Sequence, residues 1–225
     1  MNRRALLTAL VASAAMTTPA WAQYGLSEAD ASRGIKDALG LAAQAATTRL
    51  GRNNGFWGAP RVRIPLPRIL ERTQRTLQPM GMSGSLDSLQ ENLNHAAESV
   101  MPRVAQLFSN AIRSITVSDA IGIVRGGDDS ATRFLRGRTE TSLTGYLKPP
   151  MTTALTQSGV FGLMRSALGQ VGMSSASGEV RTQIIDFSTA KALDGCFLYI
   201  AEEERQIRRD PVRQTTSILR RVFGG

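Results

Sequence analysis

Leu86, Leu89, Leu93, Ala97, Val100, Val104, Leu107, Ala111 and Ile115 recur at intervals of three and four residues. A stripe with that period lies along one face of an α-helix and along no face of a strand. Sustained over about eight turns, it commits the middle of the chain to helical packing. Pro102 falls inside the run, lacks an amide donor and clashes with the preceding turn, so a kink or split is expected there. Elsewhere the same signals recur. Ser27 with Asp30 three residues on predicts a cap for a helix whose stripe is Ala31, Ile35, Ala38, Leu39, Ala42, Ala45, Ala46 and Leu50, stopped by Gly51. That face is rich in alanine, which lets neighbours approach closely. Further helices are expected over 68–77, closed by Pro79-Met80-Gly81, from Ser118-Asp119 to Gly126-Gly127, and from Asp128 through Ala131, Phe134 and Leu135. Pro149-Pro150 separates a helix over 139–147 from another beginning at Met151, and 169–178 reads as a glycine- and serine-rich mobile loop. A long helix runs through Phe187, Ala190, Leu193, Phe197, Ile200 and Ile207. Asp210-Pro211 then predicts the start of a terminal helix ending at Val222-Phe223-Gly224.

One segment breaks the pattern. Residues 52–58 form a polar, glycine-punctuated loop carrying Phe56 and Trp57, and over 60–67 Val62, Ile64 and Leu66 alternate with Arg61, Arg63 and Pro65. Period-two alternation marks an extended segment with one apolar and one basic side, and Pro65 restricts it to an edge strand or a polyproline-like arm. The fold class is therefore mainly α: a single multi-helix domain over 23–225 with a short extended arm near 60–67.

The first 22 residues read as an export signal. Asn2-Arg3-Arg4 precedes an apolar run from Ala5 to Met16, and Ala20-Trp21-Ala22 is a small-x-small cleavage site. The two arginines also suit a twin-arginine leader, and the choice of export route stays open. A periplasmic protein beginning at Gln23 is expected, with no transmembrane segment, since no run approaches ~20 apolar residues. Loss of Arg3 and Arg4 lowers the formal charge from +9 and leaves the mature chain basic. In that compartment a basic surface meets anionic lipid or an envelope protein, and with 5% aromatic residues the chain offers little for stacking on nucleic acid.

Ile64-Pro65-Leu66-Pro67, Asn94-His95-Ala96-Ala97-Glu98, Ser118-Asp119-Ala120, Gly126 with Ala131-Thr132-Arg133-Phe134, Ala192-Leu193-Asp194-Gly195-Cys196-Phe197, Ile200-Ala201-Glu202-Glu203-Glu204, Ile207-Arg208, Asp210-Pro211 and Val222-Phe223-Gly224 occur in that order. With them the chain resembles domain of unknown function 4197 over nearly its whole mature length. The resemblance implies an exported bacterial protein of no established activity. It also implies a basic residue, usually Arg, at the position of His95, which weighs against a metal role there.

The chemistry-bearing residues are few. One cysteine, Cys196, and one histidine, His95, exclude an intramolecular disulfide, a cysteine zinc site and any centre built on several histidines. Cys196 lies on an apolar stripe and reads as a buried thiol. Glu204 stands where the stripe Phe197, Ile200, Ile207 calls for an apolar side chain. A buried carboxylate has to be paired, so Arg208, Arg133 or Arg205 is its expected partner. With Asn94, Glu98, Asp194 and Arg208 it makes a candidate buried polar cluster. Glu98 and Glu204 together permit an alternative, a hydrolase using two carboxylates. Glu91, His95 and Glu98, with Asp194, Glu202, Glu203 or Glu204, permit another, a carboxylate-rich metal protein. Phe56, Trp57, Arg61 and Arg63 form a candidate contact for a ligand or an anionic membrane surface. No catalytic residue, metal site or cofactor is assigned. The favoured reading is a non-catalytic protein binding an apolar or lipid-like ligand, or an envelope partner, through an alanine-rich groove rimmed by arginines.

Overall fold

Residues 27–124 and 126–210 are described by the structure, a computed structural model. The leader and the helix expected after Pro211 lie outside them. The described chain forms eight α-helices and no strand: α1 Glu28–Leu50, α2 Arg68–Leu77, α3 Gly84–Ser99, α4 Met101–Arg113, α5 Val117–Val124, α6 Ser130–Gln157, α7 Val160–Gln170 and α8 Ser177–Arg209. The mainly helical class is as expected.

Local chemistry sets most of the boundaries. The Ser27 hydroxyl accepts from the Asp30 amide while the Asp30 carboxylate accepts from the Ser27 amide, so two orphan donors at the start of α1 are satisfied reciprocally. Pro102 splits the long stripe into α3 and α4 with Val100 between them. The cap of α5 sits two residues before the expected Ser118: Thr116 and Asp119 form the reciprocal box, and those hydrogen bonds hold the Asp119 carboxyl below its usual range.

Two expectations about helix breaks fail. Pro149 and Pro150 lie inside one continuous helix, α6, of 28 residues. The carbonyls their missing amides leave unserved belong to Gly145 and Tyr146, both on the exposed side, where water can replace the donor. Leu147 and Met151 are fully buried either side of them and keep the helix on the core. The segment 169–178 is not an open loop. The end of α7, a 3-10 turn at Ser174–Ala176 and the start of α8 occupy most of it, with Gly172 at φ 72° making the turn.

Helix α1 is central and packs against α8, α4 and α5; α8 packs in turn on α6, and α3 on α7 and α6. One apolar cluster runs through all of them, from Ile35, Leu39 and Leu50 through Leu93, Met101 and Phe108 to Leu147, Leu193 and Ile200. Phe108 meets Phe197 edge to face at 5.3 Å. The small face of α1, with Ala38, Ala42, Ala43 and Ala46 buried, brings its backbone close to its neighbours. Beside α4, residues of α1 border an open groove.

Candidate functional site

Glu98 ends α3, where the helix dipole disfavours a negative charge. The loop 52–58 supplies what the helix does not. The amides of Phe56 and Trp57 donate to Oε1 at 3.0 and 3.1 Å, the Asn54 amide donates to Oε2 at 3.2 Å, and His95 Nδ1 lies 2.8 Å from Oε2. Four partners saturate a carboxylate. The loop can close this tightly because Gly55 has no Cβ, which would overlap the Leu50 carbonyl. One turn earlier on α3, Asn94 is fully buried and takes the place of a missing strand. Its Oδ1 accepts from the Ile64 amide at 2.8 Å and its Nδ2 donates to the Ile64 carbonyl at 2.9 Å and to the Gln90 carbonyl at 2.8 Å. Residues 60–62 form a turn, closed by the Val62 and Arg63 amides on the Ala59 carbonyl, so only the rest of the expected extended segment is free of turns. The arm still alternates, with Val62, Ile64 and Leu66 buried and Arg61, Arg63 and Pro65 exposed, without pairing to another strand.

Glu204 has a different task. It sits on α8 opposite the start of α6, whose own cap residue Asp129 makes no side-chain cap bond. The Ala131 amide donates to Oε1 at 2.9 Å, while the Thr132 amide and hydroxyl donate to Oε2 at 2.8 and 2.7 Å. Arg208 Nε donates to Oε1 at 3.0 Å, and its Nη2 donates to the Ser130 hydroxyl and the Ile123 carbonyl. Glu204 is therefore a helix cap delivered from a neighbouring helix, at the end where the dipole favours an anion. Of the three arginines expected beside it, Arg208 is the partner. Arg205 and Arg133 both pair with Asp129 instead, each at 3.0 Å.

The expected single polar cluster is three separate ones. Asn94 and Glu98 clamp the arm, Glu204 and Arg208 cap α6, and Asp194 belongs to a third group with Arg136 at 2.6 Å and Lys191 at 3.0 Å. Burial pushes the Asp194 carboxyl up, but the hydrogen bonds from Lys191 and Arg136 outweigh it and hold it below its usual range. The hydrolase alternative fails on the same geometry. Both carboxylates have their acceptor sites filled, an arginine stands on Glu204, and the free volume beside it is about 10 Å3, too little for a substrate. Glu91, His95 and Glu98 do come together, yet among the described residues no three His, Cys, Asp or Glu side chains converge as a ligand set. Cys196 is fully buried, 3.6 Å from the Met101 sulfur, and burial pushes its thiol up to about 12.

The aromatic contact also needs correction. Phe56 is not exposed; it is fully buried, and a Cβ on Gly195 would stand 2.9 Å from its ring. The glycine loop folds inward because Glu98 gathers its amides, and the arm is held inward at Ile64 by Asn94. Trp57 is half-buried beneath Arg63, whose guanidinium lies 4.8 Å from the ring and donates to the Trp57 carbonyl. Arg61 is exposed and ion-paired with Glu202.

Among several open grooves of similar volume on the described residues, two adjoin the arm or the small face of α1. The first, of about 490 Å3, lies between the arm and helices α6 and α8 and carries Arg61, Arg63, Arg133, Arg136 and Lys191. Four of these five cations are paired with Glu202, Asp129, Asp194 or Glu140, so most of its charge is neutralised internally. The second, of about 570 Å3, lies between α1 and α4. Its floor is Gly40, Ala43, Ala105 and Ile112, and its rim is Arg33, Lys36 and Arg113. All 18 Asp and Glu side chains of the chain fall among the described residues, and none pairs with these three cations. Lys36 donates instead to the Arg113 carbonyl at 3.2 Å, and Arg113 to the Asn110 side chain. Periodicity exposed the small face of α1, but it gave no sign that α4 would leave that face partly open.

The sequence profile of the family described as protein of unknown function DUF4197 matches residues 25–224, a span that includes every polar residue described above. No curated protein and no solved structure matches the chain.

Proposed function

We propose that this chain, which belongs to the family described as protein of unknown function DUF4197, binds an apolar or lipid-like ligand without transforming it, in the groove between α1 and α4. Membership brings no activity with it, so the chemistry has to come from the chain's own residues. The observation that carries the proposal is the groove itself: about 570 Å3, floored by small and apolar side chains and open to solvent. That volume falls in the range of small-molecule sites, roughly 300–1,000 Å3. Small side chains suit a ligand that supplies its own apolar bulk.

The buried carboxylates favour binding over catalysis, because each is fully occupied in holding backbone. The proposed setting is the periplasm, reached through the leader in residues 1–22. No described helix is long and apolar enough to cross a membrane. Native mass spectrometry of residues 23–225, purified from the envelope compartment without detergent, tests the proposal. A stoichiometric adduct of amphiphile mass that Ala43→Trp removes is the expected result. A bare mass that stays bare after incubation with fatty acids and lysophospholipids would sink it.

A further inference from the structure

The groove between α1 and α4 is not merely apolar. Arg33 and Lys36 project from α1 and Arg113 from the last turn of α4, all onto one opening. Three like charges gathered at one rim repel one another, and at the arm groove such a gathering is relieved by carboxylates. Around the arm groove, Arg61, Arg133, Arg136 and Lys191 each hold an ion pair. Here the only carboxylate on the rim among the described residues is Asp37, four residues from Arg33 on the same helix, and no ion pair joins them.

A second and independent observation lies deeper. Ser32 lines the same groove, is more than nine-tenths buried, and its hydroxyl makes no hydrogen bond among the described residues. A helical serine ordinarily bonds back to the carbonyl four residues earlier. The Ser32 oxygen opens on the groove, unlike that of Ser188 on α8, which is the buried hydroxyl without a partner among the described residues. A hydroxyl with free donor capacity beneath three unneutralised cations is the complement of an anionic oxygen.

We propose that the groove selects its ligand by an anionic headgroup, a carboxylate or a phosphate monoester, held by Arg33, Lys36 and Arg113 above the Ser32 hydroxyl, with the acyl chain along Ala43, Ala105 and Ile112. This rests on the reading of the groove as an amphiphile site and adds the headgroup chemistry to it. Arginine forks bind carboxylate and phosphate oxygens in pairs, and Lys36 adds a point charge. The two headgroups share that chemistry and differ in charge.

The test is isothermal titration of residues 23–225 with four probes below their micelle concentrations: myristate, myristoyl lysophosphatidate, neutral monomyristin and inorganic phosphate. Both anionic amphiphiles are expected to bind at least tenfold more tightly than monomyristin. Phosphate alone is expected to bind more weakly than lysophosphatidate by a similar factor. Stronger binding of myristate than of lysophosphatidate would assign a carboxylate, and the reverse order a phosphate. Arg33→Gln with Arg113→Gln should lower affinity for the anionic probes about tenfold and leave monomyristin unchanged. Ser32→Ala should weaken the preferred anion by a smaller factor, with an unchanged circular dichroism spectrum. Equal binding of monomyristin and myristate, or indifference of the anionic probes to the double variant, would overturn the headgroup assignment while leaving the amphiphile site standing. Phosphate binding as tight as lysophosphatidate would overturn the acyl chain's part in it. Failure of all three amphiphiles to bind would remove the site itself.

Discussion

Single residues in this protein act mainly as replacements for missing backbone partners. Glu204 caps a helix to which it does not belong, and its removal orphans the amides of Ala131 and Thr132 and takes away the carboxylate that Arg208 pairs with at 3.0 Å. Breaking a buried, hydrogen-bonded ion pair by deleting one member costs roughly 3–5 kcal/mol. Glu204→Ala should therefore lower the free energy of unfolding by about that amount in urea titration, with Glu204→Gln intermediate because its amide oxygen can still accept. A loss below about 1 kcal/mol for the alanine variant, the level of an ordinary surface contact, would refute the capping role. His95 makes a second test at this scale. The hydrogen bond to Glu98 raises its pKa above 6.5, burial opposes, and the charges of Glu98 and Glu91 add to the rise. A raised folded-state value means that protonation favours the fold. The stabilisation is complete below the unfolded value near 6.5 and is lost as pH climbs through the raised one. The Tm difference between wild type and His95→Gln should accordingly shrink between pH 5.5 and pH 8.5. A difference that is flat or grows with pH would contradict the His95–Glu98 bond.

Among the elements, the arm depends most on a few bonds. It has no ladder of its own, and Asn94 alone pairs both backbone groups of Ile64. Asn94→Ala orphans the buried Ile64 amide, at about 1–3 kcal/mol, and leaves the Ile64 carbonyl only the 3.4 Å bond from the Gln90 side chain. The arm should then open locally before the protein unfolds: amide hydrogen exchange over 59–67 is expected to accelerate by tenfold or more while α1 and α8 keep their protection. Uniform acceleration across the chain would show that the arm is not a separate unit. The arm also shows how far the sequence could be read. Its alternation was legible because a period of two survives any packing, and Glu204 stood out because it interrupts an apolar stripe. What each residue would hold was not legible. The backbone amides that bind Glu98 lie 41–44 residues away in sequence and those that bind Glu204 lie 72–73 residues away, and no local pattern carries such distances. Pro149-Pro150 misled for a related reason. Proline reports a missing donor, but whether the helix stops depends on where the orphaned carbonyls face. Here they face outward.

At the scale of the whole molecule, the groove and the core share their principal helix. Helix α1 lines the opening with Arg33, Gly40 and Ala43 while its other face packs into the central cluster with Ile35, Leu39 and Leu50. A ligand seated there is bound by the folded state and has no counterpart in the unfolded chain. Its binding must therefore raise the stability of the entire fold. At a free concentration of one hundred times Kd the increase is about 2.7 kcal/mol. For a chain of this size each kcal/mol moves Tm by roughly 2–4 °C, so myristate or lysophosphatidate at that excess should raise Tm by about 5–11 °C. The location is as informative as the size. Hydrogen exchange in the bound form should slow first in α1 and α4, the two walls of the groove, and not in the arm or the facing stretch of α8, where the paired cations already satisfy one another. A Tm unmoved at proven saturation would mean that the unfolded chain binds the ligand as well as the fold does. Protection centred on the arm would move the site to the other groove, and Arg63, the one cation there without a carboxylate partner among the described residues, would become the residue to change.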